Sequence, residues 1–448
     1  MNMIRKKEAS LLLVGDIVAL FVALYLTLTL RYHALPSQEL LFLHLVPFSF
    51  IFLASILVSF IAGLYEKHTL ILKRKIPSIL TQAQIANTLI AVAFFYFIPF
   101  FNITPKIILF LYLVLSLVFM VAWRMSIAES LGGRRKTRAL LIGHGPEIKE
   151  LHEEIQNNPR YGTTFVEWID VSAAELKGQS ILELIKSKGI SLVVADFSDR
   201  KVNDIMPVLY SCIFSGVQFS DAEKLYEEIF DRVPLSLVND TWFLENVSGA
   251  RKISFDIFKR CMDILVSGIT GIISLVFYPF VYIAMKIDDK GPLFSYQDRV
   301  GQNNKIVRIL KFRTMSNPNG GGKWTSTDKP NVVTRVGNIL RKTRIDELPQ
   351  LWNVFKGDVS LIGPRPEFPA PVEAYAKEIP YYNVRHIVKP GLSGWAQIYG
   401  EHPHHGIDVN QTSNKLSHDL YYIKNRGITL DLKIALQTLK VLMSFVGR

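Results

Sequence analysis

Asp346 and Glu347 are adjacent carboxylates shortly before Pro349, and arginines surround them: Arg341 and Arg344 precede the pair, and Arg365 follows between Pro364 and Pro366. Arginine forks bind phosphate oxygens in a bidentate way. Carboxylates hold Mg²⁺ through one or two contacts beside substrate phosphates. An ionised carboxylate can also attack phosphorus and split one transfer into two steps. Phosphate chemistry on a diphosphate substrate with a bridging metal is therefore one reading of the cluster. Spacing alone leaves two others open: Asp346 as a helix N-cap, and the whole group as a structural ion-pair network. Proline is tolerated in a helix's first turn, so Pro349 predicts a helix beginning near Asp346. Its free N–H groups would then favour an anion.

The elements that must position this cluster follow a membrane pattern. Of the 448 residues 49% are hydrophobic, and the net charge of +12 points to anionic lipid or a phosphate-rich substrate. A nucleic-acid role would explain the charge but not the apolar runs. Those runs reach spanning length at Ser10–Leu30, Leu41–Leu64, Ile85–Phe101 and Lys106–Trp123. The first is too long for a signal h-region and reads as an anchor. Arg5, Lys6 and Lys7, then Lys67 and Lys73 to Lys75, then Arg134 to Lys136 and Arg138 fall on one side of the four spans. By the positive-inside rule both ends of the bundle face the cytoplasm. Asp16 lies inside the first span, and packing within the bundle is its expected place.

From about Lys136 the pattern becomes α/β. Strands are expected at Arg138–Ile142, Thr164–Val171, Ser191–Phe197 and Gly216–Ser220, with a helix after Gly143-His144-Gly145 and another over Ala174–Lys188. That is a small, doubly wound, Rossmann-like module. Asp170 stands where a ribose contact would be, but Ile148 occupies the third glycine position, so NAD is not expected. A fifth apolar segment, Leu265–Met285, contains Pro279 and has basic residues on both flanks: Lys259 and Arg260 before it, Lys286, Lys290 and Arg299 after it. Neither flank favours crossing, so the segment is expected to be re-entrant, entering and leaving one leaflet with a bend at the proline. The last helix, about Asp431–Phe445, carries Leu432, Ala435, Leu436, Leu439, Leu442 and Met443 near one face, for the membrane surface or for the core. Cys212 and Cys261 are far apart and read as reduced core residues.

The region from about Lys259 to Leu442 resembles the bacterial polyprenyl-phosphate sugar-1-phosphate transferases, the monotopic phosphoglycosyl transferases. The resemblance rests on motifs in one order: Lys259-Arg260 and Asp263, Gly291-Pro292, the run from Gln297 to Gly301, Lys311 to Met315, Thr334 to Gly337, DELPQLWNVFKGDVSLIGPRPE from Asp346 to Glu367, Lys389 to Gln397, and Asp419 to Asn425. The four spans and α/β module resemble the extension of the larger, exopolysaccharide-priming members. The resemblance implies that Asp346 is the nucleophile on a UDP-sugar and that Glu347 shares with it a Mg²⁺ ion, or Mn²⁺. UMP would leave, and undecaprenyl phosphate would accept the hexose-1-phosphate. It implies phosphate contacts from Arg299, Lys311, Arg313, Arg341, Arg344, Arg365 and Arg385. Lys259, Arg260 and Pro279 would mark the membrane boundary or meet the lipid phosphate. Two features depart from the pattern: Tyr278 stands before the kinking proline, and Tyr399-Gly-Glu-His-Pro-His-His405 replaces an Arg-Gly-containing segment near the expected sugar pocket.

The expected architecture is thus a mixed α and α/β protein of the bacterial inner membrane. It has a four-helix transmembrane bundle over 1–130, a Rossmann-like module over 131–250, and a mainly helical monotopic catalytic domain over 251–448, with a homodimer allowed. A nucleotide-sugar oxidoreductase or dehydratase would need a Tyr-x-x-x-Lys pair in the α/β module, and Tyr282 and Lys286 lie outside it. A non-catalytic scaffold would be expected to have lost the dyad or its arginines, and both are intact.

Overall fold

The computed structural model describes residues 2–65, 76–97, 106–132, 137–158, 161–172, 178–247, 252–288, 291–316, 332–400 and 408–443. The basic connections at 67–75 and 134–136, Lys290 and the histidines at 402–405 lie outside the described residues. The chain divides into two compact units, Met1–Ala139 with Glu154–Val166, and Leu140–Glu153 with Glu167–Arg448.

The first unit is built on four helices, α1 (Asn2–Tyr32), α2 (Gln38–Ile61), α3 (Ile76–Phe97) and α4 (Lys106–Gly132). Within them Ser10–Tyr32, Gln38–Ile61, Ile76–Phe97 and Lys106–Ile127 are long and apolar enough to cross a membrane. Their outward faces are apolar, with Val14, Phe42, Leu89 and Phe110 exposed, while Asp16, Asn87, Ser116 and Arg124 are buried. That inversion of the usual arrangement fits a membrane protein. The third span starts at Ile76 rather than Ile85, because its polar first half is satisfied by a neighbour. Gln84 Nε2 donates to Leu113 O at 2.6 Å and to Ser116 Oγ at 3.0 Å. Asp16 packs inside the bundle as expected. Arg124 donates to both of its oxygens, at 2.5 and 3.1 Å, and Tyr65 donates to it at 2.6 Å.

Strands β1 (Thr137–Ile142), β2 (Thr163–Ile169), β3 (Leu192–Ala195) and β4 (Gln218–Asp221) form one sheet in the order β2-β1-β3-β4, and β3 pairs with β4 in parallel. Ile148 is buried against Gly143, so the third glycine position serves as core. Asp170 accepts from the N–H and hydroxyl of Ser172 and closes a local turn.

Most of the second unit is the region that holds the dyad. Residues 223–242 join it closely. Val233 N donates to Ser417 O at 3.1 Å, Trp395 Nε1 to Asp231 O at 2.8 Å, and Lys424 pairs with Glu227 at 2.8 Å. Helices α5 (Ile253–Ser274) and α6 (Phe277–Asp288) are bent by 53° at Leu275–Val276. Pro279 lies in the first turn of α6, and having no N–H it cannot bond the Leu275 carbonyl, which places the bend there. Ile272, Leu275, Val276, Phe280 and Ile287 are exposed, whereas Asp263, Ser267 and Ser274 are buried. Cys261 is exposed on this pair and not a core residue as expected, while Cys212 is buried. Tyr278 packs edge-on against Phe312 at 4.9 Å, which gives the departing residue a place in the fold.

Strands β5 (Phe294–Val300) and β6 (Ile306–Phe312) pair antiparallel, and short β7 (Ser360–Ile362) and β8 (Gly391–Ser393) pair in parallel. The final helix, Ile428–Met443, turns Ile434, Leu436 and Gln437 inward and leaves Leu432, Leu439 and Leu442 exposed. The apolar stripe is therefore divided between core and surface.

Candidate active site

The dyad stands in a short turn held between two helices. Helix α7 (Arg335–Lys342) begins at Thr334, whose hydroxyl accepts from Gly337 N at 2.9 Å. It ends at Thr343, and Arg344 then takes a left-handed conformation with φ 59°. Non-glycine residues seldom hold this conformation away from sites that the surroundings fix. Ile345–Glu347 forms one 3-10 turn, and helix α8 (Gln350–Lys356) starts only after Pro349. The expected helix start at Asp346 is thus moved to Gln350. Local 3-10 bonds, Glu347 N to Arg344 O at 3.2 Å and Leu348 N to Ile345 O at 3.1 Å, close a separate turn first. Nor is Asp346 an N-cap: Arg344 precedes the 3-10 turn and Pro349 precedes α8 in that position, and the buried Oδ1 of Asp346 has no partner among the described residues.

The C-terminal end of α8 is anchored from α5. Arg260 donates to the carbonyls of Val354 at 2.8 Å and Phe355 at 2.7 Å, satisfying its last turn. Gly357 then turns the chain at φ 96°, with the Arg260 guanidinium against its open side. Asp263 accepts from Ser360 Oγ at 3.1 Å and Leu361 N at 3.0 Å, fixing the strand that leads to Arg365.

On the β5–β6 hairpin the register sets Ser295 opposite Lys311 and Arg299 opposite Val307, so both cations share one face. Lys311 reaches Glu347 Oε1 at 3.4 Å, Arg365 reaches the same oxygen at 3.3 Å, and Arg344 at 3.7 Å. Burial alone would raise Glu347, but Arg365, Lys311 and Arg344 outweigh it and hold the carboxyl down at about 2. Asp346 moves the other way: burial and the Glu347 charge raise it against Lys311, Arg341 and Arg344. The two adjacent acids are thus driven in opposite directions. Burial also lowers Lys311, and lowers Arg299 to about 10. Arg299 lies flat over Phe368 at 3.4 Å and donates to Gln297 Oε1 at 2.8 Å.

The fold therefore gathers Asp346, Glu347, Arg299, Lys311, Arg344 and Arg365. Arg341 is beside them, its Nε bonded to Thr314 Oγ1 at 2.9 Å. Arg313 is turned away onto the carbonyls of Pro292 at 2.7 Å and Met315 at 3.2 Å. Arg385 is buried, pairing with Asp419 at 2.7 Å and donating to Tyr382 Oη at 2.8 Å and Arg365 O at 3.1 Å. It supports Arg365 from behind. Lys259 pairs with Asp431 at 2.5 Å, so with Arg260 it is engaged inside the fold. Sequence reasoning assigned no role to Gln350, Asn353 or the Glu367–Lys415 pair. Asn353 alone joins three groups across the chain. A cleft of about 420 Å³ lined by Glu147, Glu150, Arg232 and Tyr381 shares no residue with the dyad, and Glu150 in it is already paired with Arg232.

Residues 254–445 match the family model described as bacterial sugar transferase. The chain is 38% identical over 265 residues to a UDP-N-acetylgalactosamine-undecaprenyl-phosphate N-acetylgalactosaminephosphotransferase of Aeromonas hydrophila, covering 57% of this chain and 59% of that one. It is 38% identical over 193 residues to a UDP-glucose:undecaprenyl-phosphate glucose-1-phosphate transferase of Klebsiella pneumoniae, 43% of this chain and 41% of that one. It thus spans about half the length of these two relatives. An uncharacterized sugar transferase of Haemophilus influenzae is 32% identical over 336 residues, 69% of each chain. The match to that relative extends beyond the dyad region, and with it the chain belongs to the bacterial sugar transferase family.

Proposed function

We propose that the chain transfers a hexose-1-phosphate from a UDP-sugar to undecaprenyl phosphate, releasing UMP and forming undecaprenyl-diphosphate-sugar. One observation carries this reading: Asp346 keeps an unpartnered carboxylate oxygen next to a Glu347 neutralised by three cations. The names of the Aeromonas and Klebsiella relatives supply the substrate classes.

In the first step a carboxylate oxygen of Asp346 bonds to the β-phosphorus of the donor. The bond from that phosphorus to the bridging oxygen breaks, and UMP departs with the electron pair. In the second, an oxygen of the lipid phosphate attacks the same phosphorus and Asp346 leaves as carboxylate. Arg299, Lys311 and Arg365 hold the charge that gathers on the transferring phosphoryl oxygens. Among the described residues no group of three or more His, Cys, Asp or Glu could hold a metal. Two carboxylates with one free oxygen nevertheless suit an ion that takes its remaining ligands from phosphate and water. Asp346 and Glu347 would hold that Mg²⁺ ion, which when bound offsets phosphate charge.

The apolar exteriors of α5 and α6, bent at Leu275–Val276 and flanked by basic residues, support a re-entrant hairpin in the cytoplasmic leaflet of the inner membrane. This arrangement sets the dyad beside a lipid phosphate without crossing. The larger family members that the chain resembles support a place at the start of exopolysaccharide assembly, with the four-stranded sheet as a Rossmann-like accessory module. The test is UMP release by detergent-purified protein with undecaprenyl phosphate, Mg²⁺ and a panel of UDP-sugars. Lipid-dependent UMP from one sugar, abolished in Asp346→Asn, is the expected result. UMP release retained by that variant would overturn the role of Asp346, and none from any UDP-sugar with folded wild type would overturn the reaction.

A further inference from the structure

A small recess opens between the β5–β6 hairpin, the start of α8, the Arg365–Pro366 segment and β8. It is lined by Arg299, Lys311 and Arg365, by Ile309 and Leu392, and by Gln350. Its volume of about 20 Å³ gives room for one water-sized group, such as a single phosphoryl oxygen, and not for a nucleotide. Gln350 is 6% exposed, and its buried Nε2 has no hydrogen-bond partner. Buried amide donors in native proteins are nearly always bonded, so an open one beside three cations calls for an explanation. The cations explain it: they are donors only, and an amide N–H among them has no acceptor until an anion enters. Glu347, the acid that pairs with two of these cations, already shares its Oε1 among Lys311, Arg344 and Arg365.

We propose that Gln350 is a substrate-contacting residue, whose amide N–H donates to a non-bridging oxygen of the phosphate seated by Arg299, Lys311 and Arg365. The assignment rests on the transferase reading for the identity of the phosphate, but not for the presence of an anion site. A neutral donor has a distinct use here. It adds a directed hydrogen bond without a fourth positive charge in a recess where burial already lowers Lys311 and Arg299. Its place at the first turn of α8, directly after Pro349, ties the donor to the same rigid segment as the dyad.

The experiment titrates inorganic pyrophosphate by calorimetry into the detergent-purified full chain, as wild type, Gln350→Met and Gln350→Glu, with the melting temperature of each measured in parallel. The methionine keeps the shape and removes the donor, and the glutamate adds a repelling charge. Expected are melting temperatures equal to wild type, pyrophosphate affinity weaker by roughly 10- to 100-fold in Gln350→Met, and a further loss in Gln350→Glu. UMP release at saturating lipid should show a matching fall in kcat/KM for the donor. Unchanged affinity in both variants, or a loss that appears only with a lowered melting temperature, overturns the proposal. Wild type that binds pyrophosphate but releases no UMP from any UDP-sugar sinks the transferase reading alone, and the titration still decides Gln350.

Discussion

Asn353 offers the sharpest test of how the site is held. Its side-chain amide completes the open edge of β6 as a neighbouring strand would, donating from Nδ2 to Arg308 O at 2.8 Å and accepting at Oδ1 from Leu310 N at 2.9 Å. Nδ2 also reaches Asp358 Oδ2 at 3.1 Å. Lys311, which touches Glu347, is the next residue along the strand. Replacement by alanine leaves one backbone donor and one acceptor without partners in a part-buried position. Each such group costs about 1 to 3 kcal/mol, so the variant should lose roughly 2 to 6 kcal/mol. For a domain of this size that corresponds to a fall in melting temperature of roughly 4 to 24 °C. Asn353→Asp should be worse, because it keeps the acceptor for Leu310 but sets a carboxylate against the Arg308 carbonyl and Asp358. Melting of the detergent-purified chain followed by tryptophan fluorescence gives the stability, and hydrogen exchange gives the local effect, with faster exchange expected at the Leu310 amide. Wild-type melting in both variants, or a protected Leu310 amide in Asn353→Ala, would refute the reasoning.

In the bundle, Asp16→Leu should destabilise the four helices by about 3 to 5 kcal/mol by stranding Arg124, whereas Asp16→Leu with Arg124→Leu should recover most of the loss. Equal unfolding in detergent–denaturant titrations of the single and double variants would contradict this. His386 and His418 are both held near 4, the first by burial and the Arg385 charge, the second by burial against the Asn414 carbonyl bond. Their unfolded value is near 6.5, so between those limits the unfolded chain binds protons that the folded chain does not. Stability from these groups is therefore complete above about pH 6.5 and falls as pH drops toward 4, by up to about 3 kcal/mol for each. Melting temperatures taken across that window should decline, and the decline should be shallower in His418→Gln; an identical slope would remove His418 from the account.

Much of the site was readable from residue type and local order, and its failures have specific causes. Asp346, Glu347 and Arg365 lie in one run whose composition already speaks of phosphate, and the hairpin brings Lys311 and Arg299 to it through a period of two. By that same period Arg313 would be expected beside Lys311. The strand ends at Phe312, however, and Arg313 N turns to Leu293 O at 3.0 Å, carrying its guanidinium to backbone carbonyls. Arg385, Lys259 and Arg260 carry the charge that lipid or substrate phosphate would want. Their partners Asp419, Asp431 and the Val354 carbonyl are brought to them only by tertiary folding. The start of α3 at Ile76 is hidden from the sequence for a similar reason, since Gln84 is polar in sequence and satisfied in the bundle.

The balance of charge around the dyad shows why adjacent acids can differ. Neighbours on a 3-10 turn project about 120° apart. Glu347 meets Lys311, Arg344 and Arg365, while Asp346 turns into buried surroundings that leave one oxygen without a partner. If both acids were free they would repel, and one proton would be retained between them. Tying Glu347 to cations removes that outcome without using Asp346. Glu367 does not relieve the positive charge on Lys311 and Arg365, because it is held at about 2 by Lys415 and Arg385, which overcome the effect of its burial. Lys311, Arg344 and Arg365 thus outnumber the two acids even when both are ionised, and Arg299, which the Glu367 charge also reaches, adds to the excess. A partly buried cluster short of negative charge is stabilised by an anion that supplies several oxygens at once. A diphosphate does so, and it would leave Asp346 the acid with an oxygen still to share.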